Sequence, residues 1–248
     1  MKINIGNLVF CPRLITTIFA VIFFLLFIYL GFWQLDRAEQ KREFQSFYNE
    51  RHQEEIINLN NNLISNTSDF LWRRVSATGI FLEEQQILLD NQVNAGQAGY
   101  YVYTPFKIKN SPDIFLINRG WVPVGKDRNK SPKLIFTEGE VTIEGVFKKE
   151  PRTGVLLMEN KAEKIEDGVT RFQKIVISEI SDKTKINLFP YVIRLLPESK
   201  HGYIRNWKLR NSGENVHIGY AYQWFAFATT LFIIYFVLNI KRQGYVNE

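Results

Sequence analysis

The sequence has one cysteine, Cys11, in 248 residues. No internal disulfide can staple it, and no thiol pair exists to shuttle electrons. Its two methionines and lone cysteine leave no thiolate or thioether set for copper delivery. There is no G-x-S-x-G, no phosphate-binding glycine loop, no H-E-x-x-H and no C-x-x-C. With no nucleophile–base pair recognisable, the expectation is a protein that is not an enzyme. Net charge is small too. Residues 36–217 hold 27 basic against 24 acidic side chains, a net +3. That describes a solvated surface and excludes a nucleic-acid patch. No internal repeat or low-complexity tract is present.

What the chain does have is two long charge-free runs. Leu14 to Leu35 is 22 residues without a charge and Ile218 to Ile240 is 23, against the about 20 that a bilayer core requires. The first run is too long for the apolar region of a secretion signal, and "FWQLDRAEQ" follows it with no small-x-small cleavage site. Both runs are therefore expected to be transmembrane helices, 14–35 and 218–240, with short tails 1–13 and 241–248. Two spans place both tails on one side. Lys2, Arg13, Lys241 and Arg242 mark that side as cytoplasmic, although Arg37, Lys41 and Arg42 pull the other way. The expected localisation is a bacterial inner membrane, multi-pass, with 36–217 in the periplasm; no Arg/Ser-rich transit peptide precedes the first run.

Between the spans, residues 36–58 are charged, lack Gly and Pro, and predict a polar continuation of the first helix. After the loop "NLNNNLISNTSD", strand patterns take over from 70 to 197. "WRRVSATGIF" and "QQILLDNQ" come first. "YYVYTPFKI" and "IFLINRGWVPV" then predict a hairpin of long strands joined at "KNSPD". "EVTIEGVF", "RFQKIVIS" and "YVIRLLP" supply further strands. The fold class expected is an α+β membrane protein: a two-helix transmembrane hairpin flanking one mainly antiparallel β domain. Closing that sheet into a barrel would remove its edges, an option the sequence leaves open.

Unusual residues gather at the spans' inner ends. "GFWQLDRAEQK" places Gln34, Arg37 and Lys41 at helical spacing and sets Trp33 four residues before Arg37. "HIGYAYQWF" opens the second helix with His217, Tyr220, Ala221 and Trp224 at i, i+3, i+4 and i+7. Connectivity puts both groups at one depth, so touching helices would merge them into one polar and aromatic cluster. Two readings stand. Tryptophan and tyrosine rings suit a bilayer interface, Arg37 can snorkel, His217 can be a neutral cap, and Gln34 and Gln223 can bond across the pair. Alternatively, His217 is a ligand facing a planar apolar cofactor, with Tyr220 and Trp224 as ring surfaces.

"NRGWVP", Asn118 to Pro123, is the second unusual stretch. On a period-2 strand Arg119 shares a face with Phe115, Ile117 and Trp121. An arginine on an apolar face pairs with a carboxylate, for which Asp90 in "LLDNQ" is a candidate, or recognises an anion or partner.

Taken together, "LGFWQLDRAEQK", "WRRVSATGIF", "LLDNQ", "GYYVYTPF", "INRGWVP", "IEGVF" and "HIGYAYQWFAFA" resemble, in order and nearly end to end, the SURF1 family of cytochrome c oxidase assembly factors. The resemblance implies a non-enzymatic role in maturing haem–copper oxidase, at or near insertion of haem a into subunit I. Implied partners are that subunit, haem a synthase and membrane lipid. It implies haem a as a transient cofactor, with His217 as an axial ligand to the haem iron. Trp33, Gln34, Arg37, Asn118, Arg119, Gly120, Trp121, His217, Tyr220, Gln223 and Trp224 carry the family's motif positions. In that picture Tyr220, Trp224 and Trp33 wall the haem, and Arg37 or Arg119 pairs with its propionates. The alternative is a haem-free scaffold whose β domain docks oxidase subunits.

Overall fold

A computed structural model describes residues 3–5, 8–61, 66–151, 160, 162–207 and 213–242. Lys2, Met158 and part of the predicted loop at 59–68 lie outside the described residues. In chain order the elements are β1 (Ile3–Ile5), β2 (Leu8–Phe10), α1 (Leu14–Gln53), β3 (Ile57–Asn58), α2 (Thr67–Phe70), β4 (Arg74–Phe81), β5 (Gln86–Asn94) and β6 (Gln97–Ile108). They continue with β7 (Ile114–Pro123), β8 (Val141–Lys148), β9 (Glu163–Glu166), β10 (Val169–Phe172), α3 (Ile177–Thr184), β11 (Leu188–Leu195), α4 (Glu214–Asn239) and β12 (Ile240–Arg242). The chain divides into two compact units, residues 1–47 with 208–248, and residues 48–207.

The first unit is an antiparallel helix pair with a three-stranded sheet, β1-β2-β12, at its terminal end. Both helices are long and apolar enough to cross a membrane. Their outward residues, among them Leu14, Phe19, Leu25, Phe232, Val237 and Leu238, are exposed, an arrangement suited to lipid and not to water. The inward residues of α1 recur at alternating steps of three and four: Thr17, Ala20, Phe24, Phe27, Gly31, Gln34, Ala38. Those of α4 do the same at His217, Ala221, Trp224, Ala228, Leu231 and Tyr235. Such a repeat winds two helices along one seam. Buried small residues, Gly31 and Ala38 on α1 with Ala221 and Ala228 on α4, let the backbones approach. A Cβ on Gly31 would lie 2.4 Å from the Phe225 ring.

The second unit is built on a closed barrel. β4, β8, β11, β7 and β6 pair in that order, and β4 returns to β6 through Gly79↔Ile108 to Phe81↔Phe106. Most ladders are antiparallel; β11–β7, β3–β4 and the outlying β10–β5 are parallel. The barrel interior is filled by Phe106, Phe115, Ile117, Phe147, Ile193 and Leu195, so closure leaves no pore. A second core packs α3 and its approach against the outer face of β5, β7 and β11 through Leu89, Leu116, Ile175, Ile180 and Val192.

Several boundaries differ from the sequence expectation. The polar extension of α1 stops at Gln53, five residues early, because Ile57 and Asn58 pair with Val75 and Ser76. "RFQKIVIS" is not one strand. β10 ends at Phe172 and α3 begins at Ile177. The β-branched run reads locally as strand, yet Ile177 and Ile180 are helically spaced and buried together. β6 starts at Gln97, three residues before the expected Tyr100. Ala95 and Gly96, with φ of 48° and 82°, form a two-residue hairpin loop that joins it to β5. α4 begins at Glu214, so His217 lies inside its first turn instead of capping it.

Candidate functional site

In the barrel unit the "NRGW" stretch forms a bulge. Val102 pairs with Gly120 and Tyr103 with Asn118, which leaves Arg119 as the extra residue on β7. Asn118 Oδ1 accepts the Gly120 N–H at 3.1 Å and braces the bulge. Gly120 has φ of 119°, and a Cβ there would come within 2.8 Å of the Ile204 carbonyl oxygen. Only glycine satisfies both constraints. The released edge of β7 takes a new partner: Trp121 N donates to Ile204 O at 2.8 Å and Tyr203 N to Arg119 O at 2.7 Å.

The bulge turns Arg119 into a wholly buried site, 0% exposed. Its guanidinium donates to Glu83 Oε1 at 2.8 Å, His201 O at 2.8 Å, Thr137 Oγ1 at 3.0 Å, Ile135 O at 3.3 Å and Thr104 Oγ1 at 3.4 Å. It also lies over the Phe81 ring at 4.4 Å. Glu83 accepts in addition from Thr137 N and from Gln86, whose Oε1 accepts from Thr104. A buried ion pair survives only when its remaining polar atoms are satisfied in this way. Nearby, burial and the Arg119 charge lower the His201 pKa, and burial raises that of Tyr203.

This geometry corrects two expectations. Asp90 does not pair with Arg119; it pairs with Arg128, and Glu83 is the partner. Arg119 has no free face for propionates or a docking subunit, because five protein acceptors surround it. Trp121 is also buried, its indole N–H donating to Gln92 O at 2.9 Å. Sequence reasoning missed Glu83, Gln86, Thr104 and Thr137. "EEQQ" leading into β5 carried the only signal, and nothing in it separates buried Glu83 from exposed Glu84.

In the helix pair, His217 Nδ1 lies 2.8 Å from Gln34 Oε1. An amide oxygen accepts, so in this contact Nδ1 donates, and in the neutral imidazole the lone pair then lies on Nε2. Further along, Thr17 and the Tyr235 hydroxyl meet at 2.8 Å, and Arg42 pairs with Glu214 at 3.5 Å. Some 17 or 18 residues, about 26 Å of helix, separate the Thr17–Tyr235 clasp from the Gln34–His217 clasp. That is close to the about 30 Å of a hydrocarbon core.

The other expected residues divide. Trp33 is 41% exposed and carries the Arg37 guanidinium 5.5 Å from its ring centre, while Arg37 also donates to Gln40 at 2.9 Å. Tyr220 is 49% exposed. Trp224 is instead committed to packing, stacked on Phe27 at 5.7 Å and edge-on to Phe227 at 5.8 Å. The structure does not bring Gln223 to Gln34. Six residues beyond His217 turn the helix by about 240°, so Gln223 faces outward. Among the described residues no group of His, Cys, Asp and Glu could hold a metal ion by itself.

Residues 21–229 match the family model described as the SURF1 family. The chain belongs to the SURF1 family. A "SURF1-like protein" of Rickettsia felis is 29% identical over 90% of this chain and 96% of its own length. One from Dictyostelium discoideum is 26% identical over 84% and 90%. The "Cytochrome oxidase assembly protein SHY1" of Saccharomyces cerevisiae is 30% identical over 38% of this chain and 24% of its own. The SURF1 match covers the whole barrel, α1 from residue 21 onward and α4 up to residue 229, so the bulge and the Gln34–His217 clasp both lie within it.

Proposed function

We propose that this chain is an assembly factor for a haem–copper terminal oxidase, and that it holds haem a for subunit I at the Gln34–His217 clasp. One observation carries the cofactor reading. Gln34 Oε1 meets His217 Nδ1, which in the neutral imidazole leaves Nε2 as the nitrogen open to a metal, and metal-bound histidines are held by a second bond of this kind. His217 would supply one nitrogen ligand to the haem iron. The exposed rings of Trp33 and Tyr220 are suited to a flat apolar ligand, and Arg37 to its carboxylates. Haem a, when bound, would supply the redox centre to be passed on; the chain's own part is to bind, orient and shield. No enzymatic step is proposed.

The name of the yeast relative and the family support the assembly role. The two apolar helices and the bacterial relatives support a two-span protein of a bacterial inner membrane. The tail charges favour the barrel unit on the periplasmic side. Subunit I and haem a synthase are the proposed partners.

To test this reading, the chain is co-expressed with haem a synthase, purified, and its visible spectrum compared with that of His217→Ala. The expected outcome is a haem a band that is lost or shifted in the variant. An unchanged spectrum removes His217 from the role. A second reading, the haem-free scaffold, draws on exposed Ile135 and Phe136 of the barrel unit. It requires subunit I to co-purify while haem is absent from wild type and variant alike.

A further inference from the structure

The outer wall of the barrel carries a cluster of cations that the reading above does not use. Arg74, Val146 and Arg194 face one another across β4, β8 and β11. Lys148 stands two residues beyond Val146 on the same face, diagonal to Arg194. Diagonal neighbours of this kind lie about 7–8 Å apart, so like charges are held close. Aromatic side chains enclose them. The Lys148 ammonium sits 4.4 Å from the Trp72 ring centre and the Arg194 guanidinium 5.0 Å from that of Trp207. Trp207 is fixed by its indole N–H donating to Leu195 O at 2.7 Å, and Tyr48 closes edge-on over Trp72 at 5.8 Å.

Among the described residues no carboxylate forms an ion pair with Lys148 or Arg194. Arg74 pairs with Glu144 at 3.7 Å and Arg194 hydrogen-bonds to Tyr48, but the Nε atoms of both arginines are buried without a hydrogen-bond partner. Burial, with the Arg194 charge adding to it, pushes Lys148 down to about 7, and burial lowers Arg194 as well. The contrast with Arg119 is sharp: there, every donor direction has an acceptor. Two desolvated, neighbouring and unneutralised cations are unfavourable for the fold alone, and such arrangements gather where a ligand supplies the missing charge.

We propose that Lys148, Arg194 and Arg74, walled by Trp72, Trp207 and Tyr48, form a binding cleft for a phosphate group. A dianionic or headgroup phosphate matches two unpaired cations, and the guanidinium fork suits its oxygens. The aromatic walls suit whatever apolar body the phosphate carries. The phosphate can be free in solution or belong to an anionic phospholipid.

The test uses the full chain and 31P NMR. In neutral detergent it is titrated with inorganic phosphate; in nanodiscs, phosphatidylcholine alone is compared with a phosphatidylcholine–phosphatidylglycerol mixture. Broadening of the inorganic phosphate line assigns a soluble ligand, and selective broadening of the phosphatidylglycerol line assigns the headgroup. Lys148→Met and Arg194→Gln are each expected to weaken the interaction by about tenfold or more. Lys133→Met, which removes an exposed lysine, leaves it unchanged, and Arg194→Lys restores part of it. Lys148→Met is also expected not to lower the melting temperature, since it removes an unpaired buried charge. No broadening of either line, or equal loss on Lys133→Met, overturns the proposal.

Discussion

The two units treat the same residue types in opposite ways. In the barrel, Arg119 is sealed from solvent and uses five hydrogen bonds, while Trp121 is buried and tethered through its indole nitrogen. In the helix pair, Arg37 is exposed and held by Gln40 and the face of Trp33, and Trp33 keeps an open ring. Motif residues on the barrel therefore make the fold, whereas Trp33, Arg37 and Tyr220 on the helices stay exposed. Similar spellings, "NRGW" and "FWQLDR", hide this difference. A strand closed into a barrel has an inside, and two paired helices have only a seam.

The largest test of that contrast is Arg119. Arg119→Leu leaves Glu83 buried and uncompensated, so it should destabilise the detergent-solubilised protein by about 3–5 kcal/mol. Glu83→Leu should cost a similar amount. The double variant Glu83→Leu, Arg119→Leu should recover much of the loss, because no lone charge remains. Chemical denaturation followed by near-UV dichroism measures all three. Additive losses would show that the pair is not one coupled unit. Gly120→Ala comes next. The left-handed φ and the 2.8 Å approach of Ile204 O predict a cost of about 1–3 kcal/mol, read as a lower denaturation midpoint.

On the helix side the order of effects inverts. His217→Ala or Gln34→Ala removes one cross-helix bond, worth about 0.6 kcal/mol on average in membranes, so melting should hardly move. Oxidase activity in cells carrying either variant should nevertheless fall if the clasp serves the ligand. Loss of stability to match Arg119→Leu would erase the contrast between the units.

How far the sequence foretold this depends on the kind of constraint. The two spans were legible because charge-free length is a one-dimensional property. Connectivity alone put His217 at the depth of Gln34. That Gln34 bonds His217, with Gln223 facing outward, needed the helix phase relative to its partner. The strands of the barrel were legible from alternation, but closure was not, because β4 meets β6 through residues as distant as Gly79 and Ile108. Glu83 illustrates the hardest case. A glutamate after a strand reads as solvent-exposed, and only the three-dimensional path of the Arg119 bulge makes it a buried counterion. "RFQKIVIS" failed for a local reason, since β-branched residues suit a strand and the packing of Ile177 and Ile180 overrides them.

Another expected effect is one of pH, and it sets Lys148 against Arg119 within the barrel unit itself. Arg119 is neutralised by Glu83; Lys148 is buried beside the Arg194 charge, which itself has Tyr48 and His52 as neighbours, and is held at about 7 against an ordinary 10.5. The folded state therefore sheds this proton first. Between about pH 7 and 10 the unfolded chain binds more protons at this position, so stability should rise with pH across that window. Above it the buried tyrosines Tyr101, Tyr103 and Tyr203, whose pKa values are raised, reverse the trend. Subtracting the profile of Lys148→Met from that of wild type isolates the lysine, since its neighbours are common to both. A rising difference between pH 7 and 10 supports an unpaired, desolvated ammonium, and added inorganic phosphate should flatten it. A flat difference without phosphate would mean that Lys148 is as well satisfied as Arg119.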